Sequence, residues 1–211
     1  RRCADTSDSR RWSGFPLCHQ HLARSSGSHS YTLSGGGVDD YGNIPAGSLS
    51  QTGFTALPAK STTLSIVCEA GAKVAVSTTD NRSSSVVAGA GAAMGLASDS
   101  YNFGLGSVSG KNVGSFAIST VGSAPTADGA AVDPIQSVDG NVTWAAAGTG
   151  MQTPGVSTFS WAPTGTVVPG AYTTITQPLA ITAVLNKKAD LPDLSQDVPL
   201  DGLATFTLTY L

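Results

Sequence analysis

The chain has 211 residues, 40% hydrophobic and 12% charged, with a formal net charge of −3; it holds enough apolar material for a packed core and too much for whole-chain disorder. Its 25 glycines and 11 prolines fall short of a collagen or low-complexity composition, and no apolar run approaches the roughly 18 residues of a membrane span. Glu69 is the only glutamate and lysines number five, a poor supply for exposed helix faces; with abundant Ser, Thr, Val and Gly, the composition favours β-structure.

The charge is unevenly placed. Residues 1–30 hold five of the six arginines, all three histidines (His19, His21, His29) and two of the three cysteines (Cys3, Cys18); against Asp5 and Asp8 this gives +3. From Tyr31 onward six basic residues face twelve acidic ones, giving −6 with no histidine and only Cys68. A net-negative body with scattered lysines offers no stripe for phosphates, so no nucleic-acid partner is expected.

In chain order, residues 1–30 sustain no apolar period and are expected to carry little order, with the stretch 24–30 (RSSGSHS) as a linker. Enrichment in Arg, Ser, His and Cys is also what a wrong-frame reading of GC-rich DNA gives, so this head is expected to be non-native. Residues 31–211 form one domain of short period-2 runs divided by turns. Strands are predicted at Thr62–Cys68, Lys73–Ser77, Val113–Thr120, Asn141–Ala146, Thr158–Ala162, Ala171–Thr176, Leu179–Leu185 and Ala204–Leu211. Ser107–Asn112 reads as a hairpin turn, and Val86–Ala97 as a loop or poor strand because its three glycines each cost a helix about 1 kcal/mol.

Motifs for catalysis are weak. A Ser or Cys hydrolase needs a histidine beside its nucleophile, and the body has none. Gly106–Asn112 misses the phosphate-loop spacing by one residue and has Asn where Ser or Thr should meet magnesium. Gly89–Gly95 likewise misses the dinucleotide spacing. Cys3, Cys18, His19, His21 and His29 fit no zinc-finger pattern, and Asp39-Asp40 reads as a turn before Tyr41-Gly42 rather than a calcium loop. No metal, cofactor or enzymatic activity is expected. Cys68 is either a small buried hydrophobe or half of a disulfide to an upstream strand, worth roughly 4 kcal/mol in the loop-entropy model.

Several stretches taken in order carry a resemblance: Leu33-Ser-Gly-Gly-Gly-Val-Asp-Asp-Tyr-Gly-Asn-Ile-Pro45, Leu57-Pro-Ala-Lys60, Leu64-Ser-Ile-Val-Cys68, Thr79-Asp-Asn-Arg82, Phe103-Gly-Leu-Gly106 and Asp201-Gly-Leu-Ala-Thr-Phe-Thr-Leu-Thr-Tyr-Leu211. Over about residues 31–211 the chain resembles an uncharacterised bacterial fimbrial-like family similar to chaperone–usher pilus subunits. The resemblance implies an immunoglobulin-like, pilin-type β-sandwich, incomplete and lacking its final strand. It also implies passage through the periplasm of a Gram-negative bacterium into a surface fimbria that contributes to adhesion. The implied partners are a periplasmic pilus chaperone, an outer-membrane usher and neighbouring pilus subunits.

Phe206, Leu208, Tyr210 and Leu211 are the implied contacts for the chaperone or donor strand. The three larger side chains are worth roughly 5 to 8 kcal/mol if buried, and the Leu211 carboxylate is the group such chaperones grip. In the family a cysteine a few residues before L-S-G-G-G pairs with the one matching Cys68; here that region reads His29-Ser30-Tyr31, which leaves Cys18 or Cys3 as the replacement partner. The alternative reading is a surface adhesin domain binding glycan or host protein through loops such as Ala124–Asp139. A secreted β-sandwich enzyme ranks third.

Overall fold

The computed structural model describes residues 15–20, 29–120, 124–195 and 197–211, with the backbone alone for 15–20 and 29. Sixteen strands follow in order: β1 Phe15–Gln20, β2 His29–Leu33, β3 Val38–Asp39, β4 Thr55–Ala56, β5 Lys60–Ala72, β6 Val74–Asp80, β7 Phe103–Gly104 and β8 Ser107–Val108. Then come β9 Lys111–Asn112, β10 Gly114–Ser119, β11 Thr126–Ala127, β12 Ala130–Ser137, β13 Ala145–Ala146, β14 Thr158–Pro163, β15 Tyr172–Leu185 and β16 Ala204–Tyr210. The α-helix α1 is a single turn, Ala90–Ala93.

Fourteen of the strands join one continuous sheet that folds over itself into a two-layer, all-β sandwich. The first layer runs β2-β5-β15, where β15 also pairs with β10, β11 and β4, and β10 with β7. The second runs β12-β14-β6-β16-β1-β3. β12 joins the two: Ala130–Ala131 pair with β11, and Val132–Ser137 then pair with β14. A strand that changes layers removes one pair of sheet edges, as in orthogonally closed sandwiches.

Alternation fills the space between the layers. On β5, Thr62, Leu64, Ile66 and Cys68 are buried while the residues between them are half-buried or exposed. Phe116 and Ile118 of β10, Phe159 and Trp161 of β14, Ile181 of β15 and Phe206 of β16 are essentially inaccessible and belong to one core cluster. Phe103 stacks on Phe116 at 5.0 Å, and Phe159 meets Trp161 edge-on at 5.5 Å, both preferred aromatic geometries. The Trp161 indole N–H has a buried polar partner across the layers: it donates to Gln177 Oε1 at 2.9 Å, and the Gln177 amide donates to the Thr120 carbonyl.

Most of the predicted strands stand, with altered limits. Ala171–Thr176 and Leu179–Leu185 are one 14-residue strand, β15, that runs through Gln177-Pro178. The predicted strand Asn141–Ala146 shrinks to β13, because Asp139 accepts from the backbone N–H groups of Val142 and Thr143 and folds its first half into a turn. Ala124–Asp139, expected as a binding loop, is instead largely the β11–β12 hairpin. Val86–Ala97 contains the one-turn α1, whose start is held by Asp99 accepting from the N–H groups of Gly89 and Gly91. Ser107–Asn112 is the hairpin β8–β9, and Asp40 caps the Tyr41-Gly42 turn by accepting from the Gly42 N–H. Residues 15–20 and 29–30, within the head expected to carry little order, are in strands.

Candidate functional site

The strand singled out by the sequence, β16, sits two places from the end of its layer, with β1 and β3 beyond it. Ala204, Phe206 and Leu208 point into the core, Tyr210 packs partly buried against it, and Thr209 faces solvent. One edge of β16 is fully used, with seven antiparallel positions from Ala204↔Asp80 to Tyr210↔Val74 on β6, and the Leu211 N–H continues this contact by donating to the Lys73 carbonyl. The other edge is occupied differently. β1 lies along it in parallel, from Leu17↔Ala204 to Gln20↔Thr207. Among the described residues β1–β16 is the one parallel pairing.

The mouth of the sandwich beside this edge is formed by β2 and β5. The Tyr31 hydroxyl donates to the Phe206 carbonyl at 2.7 Å, a buried bond from the first layer to the second. Burial raises the Tyr210 hydroxyl pKa, and the neighbouring Cys68 and Glu69 raise it further, which places the end of β16 beside the end of β5. Cys68 is a buried free thiol whose pKa burial raises, with Asp128 adding to the rise. His29 stands directly opposite Cys68 in the β2–β5 register. Position 29 is thus where a cysteine would face Cys68. Cys18 is in β1 opposite Thr205, while Cys3 and the Cys18 side chain lie outside the described residues, as do the side chains of His19, His21 and His29.

What fixes the start of β16 was not foreseen from the residues themselves. Three stretches far apart in sequence converge there. Asp80, buried at the end of β6, accepts from the Arg82 N–H at 2.8 Å and from the Gly104 N–H at 2.9 Å. Arg82 forms a two-pronged ion pair with Asp201, its Nε and one terminal nitrogen each meeting a carboxylate oxygen at 2.9 and 3.0 Å, the fork geometry that makes such pairs specific. Asn81 donates from its backbone to the Leu203 carbonyl and from its side chain to Thr205 Oγ1. Ser85 accepts from the Gly106 N–H and donates to the Arg82 carbonyl.

Two glycines permit this approach. A Cβ on Gly104 would stand 2.2 Å from both the Arg82 carbonyl oxygen and Ser85 Oγ, and one on Gly106, at φ +87°, would meet Asp201 Cβ at 3.0 Å. The T-D-N-R, F-G-L-G and D-G-L-A stretches are therefore one structural clasp. Burial raises the Asp80 pKa, opposed by the two backbone N–H bonds and by the Arg82 charge. The site has the chemistry of a positioned strand edge: backbone donors and acceptors beside apolar side chains. Among the described residues no group of three or more His, Cys, Asp or Glu side chains could hold a metal ion.

Comparison with known proteins agrees with these landmarks without naming an activity. Residues 24–117, a stretch containing β2, the clasp residues 80–85 and β7, match the family model described as a protein of unknown function (DUF1120). Protein GltF of Escherichia coli (strain K12) is 29% identical over 208 residues, spanning 85% of this chain and 82% of that protein. The chain is similar to both.

Proposed function

We propose that this chain is a structural subunit of a bacterial surface fimbria. In this reading a pilus chaperone receives it in the periplasm, an outer-membrane usher exports it, and strand exchange joins it to neighbouring subunits, contributing to adhesion. The observation that carries the reading is the outer edge of β16, whose neighbour among the described residues is the parallel strand β1, whereas its other edge pairs antiparallel with β6.

A strand edge carries the N–H and C=O groups that take an added strand, and a parallel ladder holds such an edge somewhat less strongly than an antiparallel one. Beside it, Phe206, Leu208 and Tyr210 supply the apolar contacts that give an added strand its affinity and register. The clasp of Asp80, Arg82 and Asp201 holds the start of the edge in place, so an incoming strand meets a preorganised partner. The resemblance over residues 31–211 supports the same reading.

The test is periplasmic expression with and without a tagged pilus chaperone from the same genome. Expected is a stoichiometric complex on affinity purification and a yield that depends on the chaperone. Equal yield in both strains with nothing retained on the tag would overturn the reading.

A further inference from the structure

We propose that Asn141 is an acceptor for N-linked glycosylation, taking an oligosaccharide from a polyprenyl-diphosphate-linked donor once the chain has left the cytoplasm; this goes beyond the fimbrial reading and shares with it only export. Two Asn-x-Ser/Thr triplets occur in the chain, Asn81-Arg82-Ser83 and Asn141-Val142-Thr143. Such a triplet serves as an acceptor where it lies on the surface of a secreted protein with its amide nitrogen able to react. The structure separates the two. The Asn81 amide nitrogen donates to the Leu203 carbonyl at 3.3 Å and to Thr205 Oγ1 at 2.7 Å, which fastens it into the clasp at the start of β16. Asn141 is held by the other end of its amide: Oδ1 accepts from the Thr158 hydroxyl, and among the described residues Nδ2 donates to no group.

Asn141 stands in the turn that joins β12 to β13, where the chain reverses through φ values of +75° at Gly140 and +71° at Asn141. Asp139, Gly140, Val142 and Thr143 are exposed, and a Cβ on Gly140 would find nothing within 4 Å. Local bonds build the turn: Asp139 accepts from Ser137 Oγ and from the Val142 and Thr143 N–H groups, and the Thr143 hydroxyl donates to Asp139 Oδ2. Two side-chain bonds, to Thr158 and Asp139, thus hold the Asn141 amide and the Thr143 hydroxyl, and a transferase can replace both without opening either layer. In the transfer Nδ2 bonds to the anomeric carbon of the donor's first sugar. The bond from that carbon to the diphosphate oxygen breaks, its electron pair leaves on the diphosphate, and the amide gives one proton to a carboxylate base of the transferase.

A separate feature of the surface fits a glycan here. Val138, Val142 and Val156 are 67%, 78% and 57% exposed. The first two flank the turn, and the third lies two residues before Thr158, the partner of Asn141. Exposed apolar groups gathered at one place mark a surface that something covers, and a bulky, hydrophilic oligosaccharide on Asn141 has the position and the chemistry to do so.

The test uses the full chain behind a cleavable export leader, in a bacterium whose oligosaccharyltransferase modifies a reference acceptor protein. Expected is a mass increase of one oligosaccharide, assigned by peptide mass to Asn141. The increase should persist in Thr143→Ser and Asn81→Gln and vanish in both Asn141→Gln and Thr143→Ala. Two results overturn the proposal: Asn141 left bare in the exported, folded chain, or Asn81 occupied as fully as Asn141. Yield that depends on the pilus chaperone together with a bare Asn141 would refute the acceptor and leave the fimbrial reading standing; an occupied Asn141 with no chaperone binding by the Asn141→Gln chain would do the reverse.

Discussion

His29 faces Cys68 across the β2–β5 ladder, so His29→Cys should build a disulfide without moving the backbone. Directly opposed residues of an antiparallel pair have Cα atoms about 4.5 or 5.5 Å apart, and both values lie within disulfide reach. The bond would close a loop of about 40 residues, which in the chain-entropy model stabilises by about 4 kcal/mol. For a chain of this size that corresponds to a melting temperature higher by roughly 8 to 16 °C. The assay is a thermal melt of His29→Cys with Cys3→Ser and Cys18→Ser, oxidised and reduced, with Ser30→Cys as the register control. Ser30 lies opposite Val67, and its side chain belongs to the other face of the strand. Expected is a bond and a raised melting temperature for position 29 and no bond to Cys68 for position 30. A bond at position 30 alone, or an oxidised His29→Cys chain no more stable than the reduced one, would refute the register and with it the seating of β2 at the mouth of the sandwich.

The clasp and the buried carboxylates give three further expected outcomes. Asp80→Ala strands the Arg82 and Gly104 N–H groups and should cost about 2 to 6 kcal/mol by urea denaturation, at about 1 to 3 for each unsatisfied buried group. Gly104→Ala drives a methyl into the Arg82 carbonyl and should cost about 3 kcal/mol or prevent folding, whereas Gly47→Ala, with open space at its Cβ, should cost less than about 1 kcal/mol on the same urea scale. Asp39 is buried, its Oδ2 has no hydrogen-bond partner, and burial raises its pKa against the lowering effect of Lys60. A folded-state pKa above the unfolded value gives stability that is present below the unfolded value of 3.8 and lost as pH rises through the folded value. Asp39→Asn should therefore raise the urea midpoint at pH 7, with the gain shrinking toward pH 4; a gain independent of pH would refute the burial argument.

Strands with apolar–polar alternation were legible from the residues: period 2 reports the buried face of β5 directly and also marks β6, β16 and β10, although β10 is buried at all six positions. β15 was read as two strands because of Pro178, yet Pro178 keeps its place opposite Thr63 while Gln177 uses its amide on the Thr120 and Pro178 carbonyls. β12 was missed because Asp133-Pro134 interrupts the pattern. The strand nonetheless pairs with β14 at both residues, and the Pro134 carbonyl accepts from Ala147. β1 and β2 carry too few apolar residues in sequence to announce themselves, and it is pairing with β16 and β5 that makes them strands.

Of the candidate site, Phe206, Leu208 and Tyr210 were visible as the alternating face of the last predicted strand. The clasp was not: Asp80, Gly104 and Asp201 meet only in the folded chain, and no local spacing encodes a contact across more than a hundred residues. The resemblance picked out the three stretches without the reason for them, which is that Gly104 and Gly106 leave room for the backbone of residues 82 and 201. The adhesion-loop reading placed a loop at Ala124–Asp139; within it Asp128 instead caps the start of β15 by accepting from the Thr173 and Thr174 N–H groups.

Hydrogen–deuterium exchange along Ala204–Leu211, in the chain alone and bound to the pilus chaperone, tests the central claim most directly. Amides of β16 directed away from β6 are predicted to gain protection in the complex, while those paired with β6 are protected in both states. Contradiction would be a β16 whose exchange is unchanged by the chaperone.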